Sequence, residues 1–148
     1  MKFINVTSML ITSVLVASPA YACKCSGGNP NADSTEQAMY MVSLSDVAFE
    51  GVPTNYKKID ESYSAVTFKI LNCVKGECGK RVTVNILSDE SSDCSIAPFF
   101  KDVFKRKAPV WISAIKWSRE YPKPQSKYPF LVGVCSSIFK ESNTTPNQ

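Results

Sequence analysis

The chain has 148 residues, a formal net charge of +4, six cysteines and no histidine. This length suffices for one domain built around one hydrophobic core. The absence of histidine excludes Ser-His-Asp and Cys-His catalysis, and we expect the protein not to be an enzyme.

The first segment has the features of a secretory signal peptide. A single lysine precedes an apolar run at residues 3–17, and the small residues Ala20 and Ala22 suit signal peptidase. The run is shorter than the about 20 apolar residues that cross a membrane. We therefore predict a signal peptide at residues 1–22, no transmembrane segment, and a secreted or periplasmic protein that starts at Cys23. A lipoprotein is the alternative, but bulky Tyr21 fits its cleavage site poorly.

All six cysteines lie beyond the predicted cleavage site, at positions 23, 25, 73, 78, 94 and 135. An even number in a small exported domain implies disulfides, and six cysteines allow 15 connectivities. A zinc site is the alternative for the close pairs Cys23–Cys25 and Cys73–Cys78. Their unequal spacing, the lack of histidine and an oxidising compartment argue against it, so we expect no metal or cofactor of the protein's own.

The first predicted element is a short helix. A Ser-x-x-Gln capping box at residues 34–37 opens it. Ala38, Met41 and Val42 are spaced to bury one face, and the pattern ends near residue 44.

Five strands follow the predicted helix. Alternating apolar residues place them at residues 46–53, 63–71, 81–87, 108–116 and 128–134. Cys73 and Cys78 flank a tight turn, as though a disulfide pinned the hairpin. Residues 54–62 are expected to form a surface loop and residues 140–148 a polar, disordered tail. This all-β pattern fits a small closed antiparallel barrel such as the OB-fold, and periodicity alone equally allows a β-sandwich.

Several motifs, taken in order, resemble the netrin-like family and, within it, the N-terminal domain of the tissue inhibitors of metalloproteinases. They are Cys23-Lys24-Cys25 directly after the signal, a short helix, Ser45-Asp46-Val47-Ala48-Phe49-Glu50-Gly51-Val52, Val74-Lys75-Gly76, Cys94, Val110-Trp111-Ile112 and Cys135. The resemblance covers residues 23–139 and implies a single OB-fold domain over that range.

The resemblance also implies a disulfide connectivity. The implied pairs are Cys23–Cys94 and Cys25–Cys135, which leaves Cys73–Cys78. In the chain-entropy model each of the two long loops would stabilise the fold by about 4–5 kcal/mol. The alternative is that the disulfides only stabilise the small core of a secreted protein and have no further function.

The function implied by the resemblance is inhibition of a zinc metalloprotease by the N-terminus. The amino nitrogen and carbonyl oxygen of Cys23 would chelate the zinc of the protease at the position that a catalytic zinc keeps open for water. Lys24 would enter the primary specificity pocket, with Cys25 and Ser26 also contacting the protease. Because an unpaired ammonium is costly to bury, we expect the target protease to have an acidic or open pocket, or the Lys24 side chain to reach outward to solvent. An exposed lysine without such a role is the alternative for Lys24.

A second function class is compatible with the same fold, namely a non-inhibitory extracellular or periplasmic protein-binding module. It would use loops or the basic segment, since residues 101–127 hold eight basic and two acidic residues. That segment is expected to be a solvated face, or one that meets an acidic partner or membrane surface. In either class we expect a monomer.

Three weaker patterns have simpler explanations. The aromatic residues among these lysines could stack single-stranded nucleic acid, but export argues against a nucleic-acid partner; they are Trp111, Trp117, Tyr121, Tyr128 and Phe130. The acidic residues 89, 90 and 93 could bind Ca²⁺, although a solvated loop is expected. The apolar residues within 99–104 are expected to close the barrel as a helix or loop, with a membrane-surface anchor as the alternative.

Overall fold

The computed structural model describes residues 35–89, 94–117 and 127–143. The elements in chain order are α1 (Thr35–Leu44), β1 (Val47–Lys58), β2 (Tyr63–Lys75), β3 (Arg81–Leu87), α2 (Ala97–Arg106), β4 (Val110–Lys116), β5 (Phe130–Val132) and β6 (Phe139–Glu141). The helix α1 ends at the residue that the sequence pattern indicated, and β3 has the predicted bounds.

Five of the strands close into a barrel. The strand order is β1-β2-β3-β5-β4, and a further pairing of β1 with β4 completes the ring. The prediction of a five-stranded OB-fold-like barrel is confirmed. The expectation that it is antiparallel throughout is wrong at one place, because β3 and β5 are parallel. A ring with an odd number of strands cannot alternate direction at every step, so one neighbouring pair has to be parallel.

Strand β1 is longer than the sequence pattern indicated. It pairs with β2 as far as Lys58, and only its first part, Val47 to Gly51, also pairs with β4. Residues 54–58 were expected to be a loop because most of their side chains are polar. They are instead a solvent-facing continuation of the strand, in which Tyr56 alone is half-buried and packs 6.2 Å from the ring of Phe104.

A sixth strand replaces the start of the expected polar tail. Phe139–Glu141 pairs antiparallel with β4 on the edge that β1 does not use. Phe139 drives this pairing, because its ring is buried 5.3 Å from that of Phe99. Ser142, the first residue after β6, is also buried, and its backbone N–H donates to the carbonyl oxygen of Pro109 at 2.8 Å.

The second helix, α2, fills the position between β3 and β4 that the sequence assigned to a helix or loop. Ala97, Phe100 and Val103 on its inner face are buried, and the ring of Phe100 lies 6.2 Å from that of Phe68 on β2. Burying a side chain of this size stabilises a fold by about 1.5–3 kcal/mol. The alternative of a membrane-surface anchor is wrong, since the apolar face of α2 is used inside the core.

The hairpin disulfide is confirmed. Cys73 and Cys78 are bonded, with their Cα atoms 6.0 Å apart. Cys94 and Cys135 are disulfide-bonded as well, so none of the four cysteines in the described ranges is free. With Cys73–Cys78 fixed, the 15 possible connectivities of six paired cysteines fall to three.

Candidate functional site

The residues predicted to contact a protease, Cys23, Lys24, Cys25 and Ser26, lie outside the described residues, and so does the proposed zinc-chelating group of Cys23. Cys94 and Cys135, the predicted disulfide partners of Cys23 and Cys25, lie within the described residues. The candidate site can therefore be built from the two segments that carry these cysteines.

Cys94 lies in the short segment that joins the end of β3 to the start of α2. The backbone N–H of Ile96 donates to the carbonyl oxygen of Leu87 at 3.2 Å, which returns the chain to the end of β3. Ser95 is buried, and its hydroxyl accepts the N–H of Ala97 at 3.4 Å. Cys94 is thus held between a barrel strand and a helix that is anchored in the core.

Cys135 lies in the turn between β5 and β6. The N–H of Gly133 donates to the hydroxyl of buried Ser137 at 3.1 Å. The N–H of Ile138 donates to the hydroxyl of Ser113 on β4 at 2.7 Å. The first bond closes the turn that carries Cys135, and the second ties the end of this turn to β4.

The parallel pairing of β3 with β5 places these two segments at the same end of the barrel. Ile86, next to the last residue of β3, is in register with Val132, the last residue of β5. Because parallel strands end on the same side of a sheet, the segments that follow them leave the barrel side by side. Both carry a cysteine that is disulfide-bonded.

The chain that leads from the N-terminus into the barrel is fixed at a third point, the junction between α1 and β1. The N–H of Asp46 donates to the carbonyl oxygen of Ala114 at 3.0 Å, and the carboxylate of Asp46 accepts the N–H of Lys116 at 2.7 Å. The ammonium of Lys75 donates to the carbonyl oxygens of Val42 and Ser43 at the end of α1, at 3.2 and 2.5 Å. A cation at this position also interacts favourably with the helix dipole.

The helix α1 is less buried than its pattern predicted. Ala38, Met41 and Val42 are half-buried, and no residue of α1 is fully buried. Ala38 and Val42 face an open groove of about 600 Å³ between α1 and the barrel, whose opposite wall includes Trp111 and Ile138.

This groove, which we call the α1 groove, was not foreseen from the sequence. The described residues that line it are Thr35, Ala38, Met39, Val42, Ala48, Val74, Trp111, Ile112, Ile138 and Lys140. The volume and the mostly apolar lining are typical of binding sites. The signal available in the sequence was the composition of α1, which has apolar residues on more than one face.

The basic segment at residues 101–127 is partly neutralised where the structure describes it. The guanidinium of Arg106 on α2 forms ion pairs with Asp102 at 2.6 Å and with Glu141 on β6 at 2.8 Å. Hydrogen bonds from Arg106 lower the pKa of both carboxyl groups below their usual range, and the same hydrogen bonds raise the pKa of Arg106. This network ties α2 to β6 at the surface.

The two tryptophans considered for a stacking platform do not lie side by side. Trp111 and Trp117 lie near opposite ends of β4, which separates them by about 20 Å at 3.4 Å per residue. Trp111 faces the α1 groove, whereas the ring of Trp117 packs edge-on against that of Tyr63 at 5.5 Å. Tyr121 falls outside the described residues.

The described ranges contain no group of three His, Cys, Asp or Glu residues that could hold a metal ion; of the acidic residues considered for Ca²⁺, Glu90 and Asp93 lie outside those ranges. Within the same ranges, no helix is long and apolar enough to cross a membrane.

No protein-family model matches the chain, and a search of the curated proteins finds no match either. The residues of this chain, its barrel and its resemblance to the netrin-like family are therefore the basis for proposing a function.

Proposed function

We propose that the protein is a secreted or periplasmic inhibitor of a zinc metalloprotease that binds the catalytic zinc through its own N-terminus. It would act as a monomer without a cofactor of its own. The observation that carries the proposal is that Cys94 and Cys135, on segments leaving the same end of the barrel, are both disulfide-bonded. An N-terminal Cys-x-Cys is suited to joining two such points.

The reach of Cys23-Lys24-Cys25 is compatible with this role. Two Cα atoms two residues apart are separated by at most about 7 Å, and each disulfide adds up to about 6.8 Å between Cα atoms. The motif could therefore bridge anchors up to about 20 Å apart. With both bridges formed, the chain end would be fastened at its first and third residues.

Such a fastened terminus has the chemistry that chelation needs. The amino nitrogen and the carbonyl oxygen of Cys23 belong to one residue and can close a five-membered ring on a metal ion. A catalytic zinc keeps one position open for water, and this pair would displace that water. Because the disulfides would order the terminus in advance, binding would cost less entropy than it costs a flexible tail.

Lys24 would then be the residue that selects the target. It follows the chelating residue directly, so its side chain would enter the specificity pocket beside the zinc. An apolar pocket would leave the ammonium without a partner, which is costly. We therefore propose a target whose pocket carries a carboxylate or opens to solvent, with Cys25 and Ser26 contacting the pocket's rim.

The test combines the intact mass of the exported protein with an inhibition panel. The mass should correspond to a chain that starts at unmodified Cys23 and is six hydrogens lighter than the reduced form. That protein should inhibit at least one zinc metalloprotease of a panel that includes enzymes with acidic and with open pockets. Inhibition should strengthen from mildly acidic to neutral pH, because only a neutral amine coordinates zinc and a free α-amino group has an ordinary pKa near 8. A lipidated or extended N-terminus would refute the chelation mechanism, and a panel without any inhibited member would favour a binding module.

A further inference from the structure

The surface of α1 is unusually apolar for a helix in which no residue is fully buried. Six of its ten residues are apolar, yet Met39, Tyr40 and Leu44 are 69, 62 and 57% exposed. A helix with apolar residues on all sides is normally buried. Contiguous apolar surface that stays exposed in a folded domain marks an interaction site.

The α1 groove continues this surface down to the barrel. Met39 forms part of its wall together with Val74 of β2, which is 55% exposed, and Trp111 lines the side formed by β4. Lys140 on β6, which is exposed and lies opposite Trp111 in the strand pairing, is the cation among the described lining residues. Within the described part of the chain, the side-chain ammonium of Lys140 forms no hydrogen bond or ion pair. The groove therefore combines apolar walls with one unpaired positive charge.

The position of the groove relates it to the proposed inhibitory end. Ile138, in the groove wall, is three residues from Cys135, so their Cα atoms are at most about 11 Å apart. A standard protein interface covers about 800 Å² on each partner, which corresponds to a disc of roughly 16 Å radius. An interface of this size that includes the Cys135 turn can therefore extend over the groove.

From this placement we infer that the α1 groove is a second contact surface for the target protease, which inserts an apolar side chain flanked by a carboxylate. The apolar side chain would pack against Met39 and Trp111, and the carboxylate would pair with Lys140. This inference rests on the proposed function. The groove contact would not involve the zinc, and it would contribute to the affinity for the protease independently of the specificity pocket.

The test measures inhibition constants for a protease of the panel that responds to the native protein. Met39→Asp places a charge in the groove and should weaken inhibition at least tenfold, since a carboxylate buried against an apolar side chain without a partner is costly. Lys140→Glu should weaken inhibition by a smaller factor that shrinks at high salt. Leu71→Asp is the matched control, because Leu71 is 45% exposed but does not line the groove; it should change inhibition less than twofold. All three positions are exposed, so the melting temperatures should stay close to that of the native protein.

A second measurement separates this contact from chelation. Against the same protease stripped of its zinc, the native protein should retain weak binding that Met39→Asp reduces by the same factor. Equal inhibition by native protein and Met39→Asp would overturn the groove contact and leave the proposed function intact. If the native protein inhibits no member of the panel, the proposed function fails and the groove contact fails with it.

Discussion

Ile86 of β3 and Val132 of β5 are paired in the one parallel register of the barrel. This pair determines where the chain goes next, because both strands end at the same side and the segments that follow carry Cys94 and Cys135. The parallel step thus brings together two points that are 41 positions apart in the sequence.

The disulfide connectivity is the first prediction. Non-reducing peptide mapping should recover Cys23–Cys94, Cys25–Cys135 and the local Cys73–Cys78 loop. The physical reason is that a Cys-x-Cys motif can reach two neighbouring anchors, whereas a Cys23–Cys25 bond would not attach the terminus to either anchor. Recovery of Cys23–Cys25 together with Cys94–Cys135 would contradict the inhibitory arrangement of the terminus.

The second prediction concerns Gly76, which lies beneath the junction of α1 and β1. Its φ of +77° is a conformation that side chains disfavour, and a Cβ atom there would collide with the carbonyl oxygen of Asp46. Gly76→Ala should therefore lower the free energy of unfolding by at least about 2 kcal/mol in urea titrations. Gly79→Ala is the control, since Gly79 has a φ of +59° but open space around it. Equal losses for the two variants would show that the contact with Asp46 is unimportant.

The third prediction concerns the buried link between Ser142 and Glu50. The Ser142 hydroxyl donates to the Glu50 carboxylate, and the two residues are only 8 and 6% exposed. Ser142→Ala removes this donor from a buried acceptor and should cost about 1–3 kcal/mol of unfolding free energy. Ser43→Ala removes an exposed hydroxyl that bonds locally to Tyr40 and should stay within about 0.5 kcal/mol of the native protein. An equally small change in unfolding free energy for Ser142→Ala would show that this hydrogen bond does not hold the chain after β6 in place.

The fourth prediction is a pH dependence that arises from Arg106. Hydrogen bonds from its guanidinium lower the pKa of Asp102 and of Glu141 in the folded state. A lowered folded-state pKa contributes stability above the ordinary carboxyl value, and this contribution is lost as the pH falls through the lowered value. Arg106→Gln should therefore unfold at lower urea concentration than the native protein near neutral pH, and the difference should vanish in acid.

The exposed Lys58→Gln variant is the control for that titration, because it removes a positive charge without touching this network. A difference between native protein and Arg106→Gln that stays constant from neutral to acidic pH would contradict the network.

The strands and their order along the chain could be predicted because alternation of buried and exposed residues is a local property. The second half of β1 escaped prediction because residues 54–58 gain their pairing from β2 while most of their side chains stay in solvent. Strand β6 is only three residues long, and its one strong signal is Phe139, which becomes informative only once Phe99 and Phe100 are placed beside it.

The α1 groove could not be predicted either, because it depends on contacts between residues that are far apart in the sequence. It exists because the junction at Asp46 is tied to Lys116, 70 residues later, and because Lys75 holds the end of α1. No local pattern contains those contacts. The cysteine anchors were accessible only through the resemblance, since spacing alone left 15 connectivities open.

The most direct measurement compares the protein that begins at Cys23 with one that retains Ala22, both assayed against the same responsive metalloprotease. The extra residue converts the amine of Cys23 into an amide nitrogen, which is a poor ligand, and places additional atoms where the zinc would lie. The extended protein should inhibit more weakly by orders of magnitude while its melting temperature stays unchanged, because the disulfides persist. Equal inhibition by the two forms would contradict zinc chelation by the N-terminus.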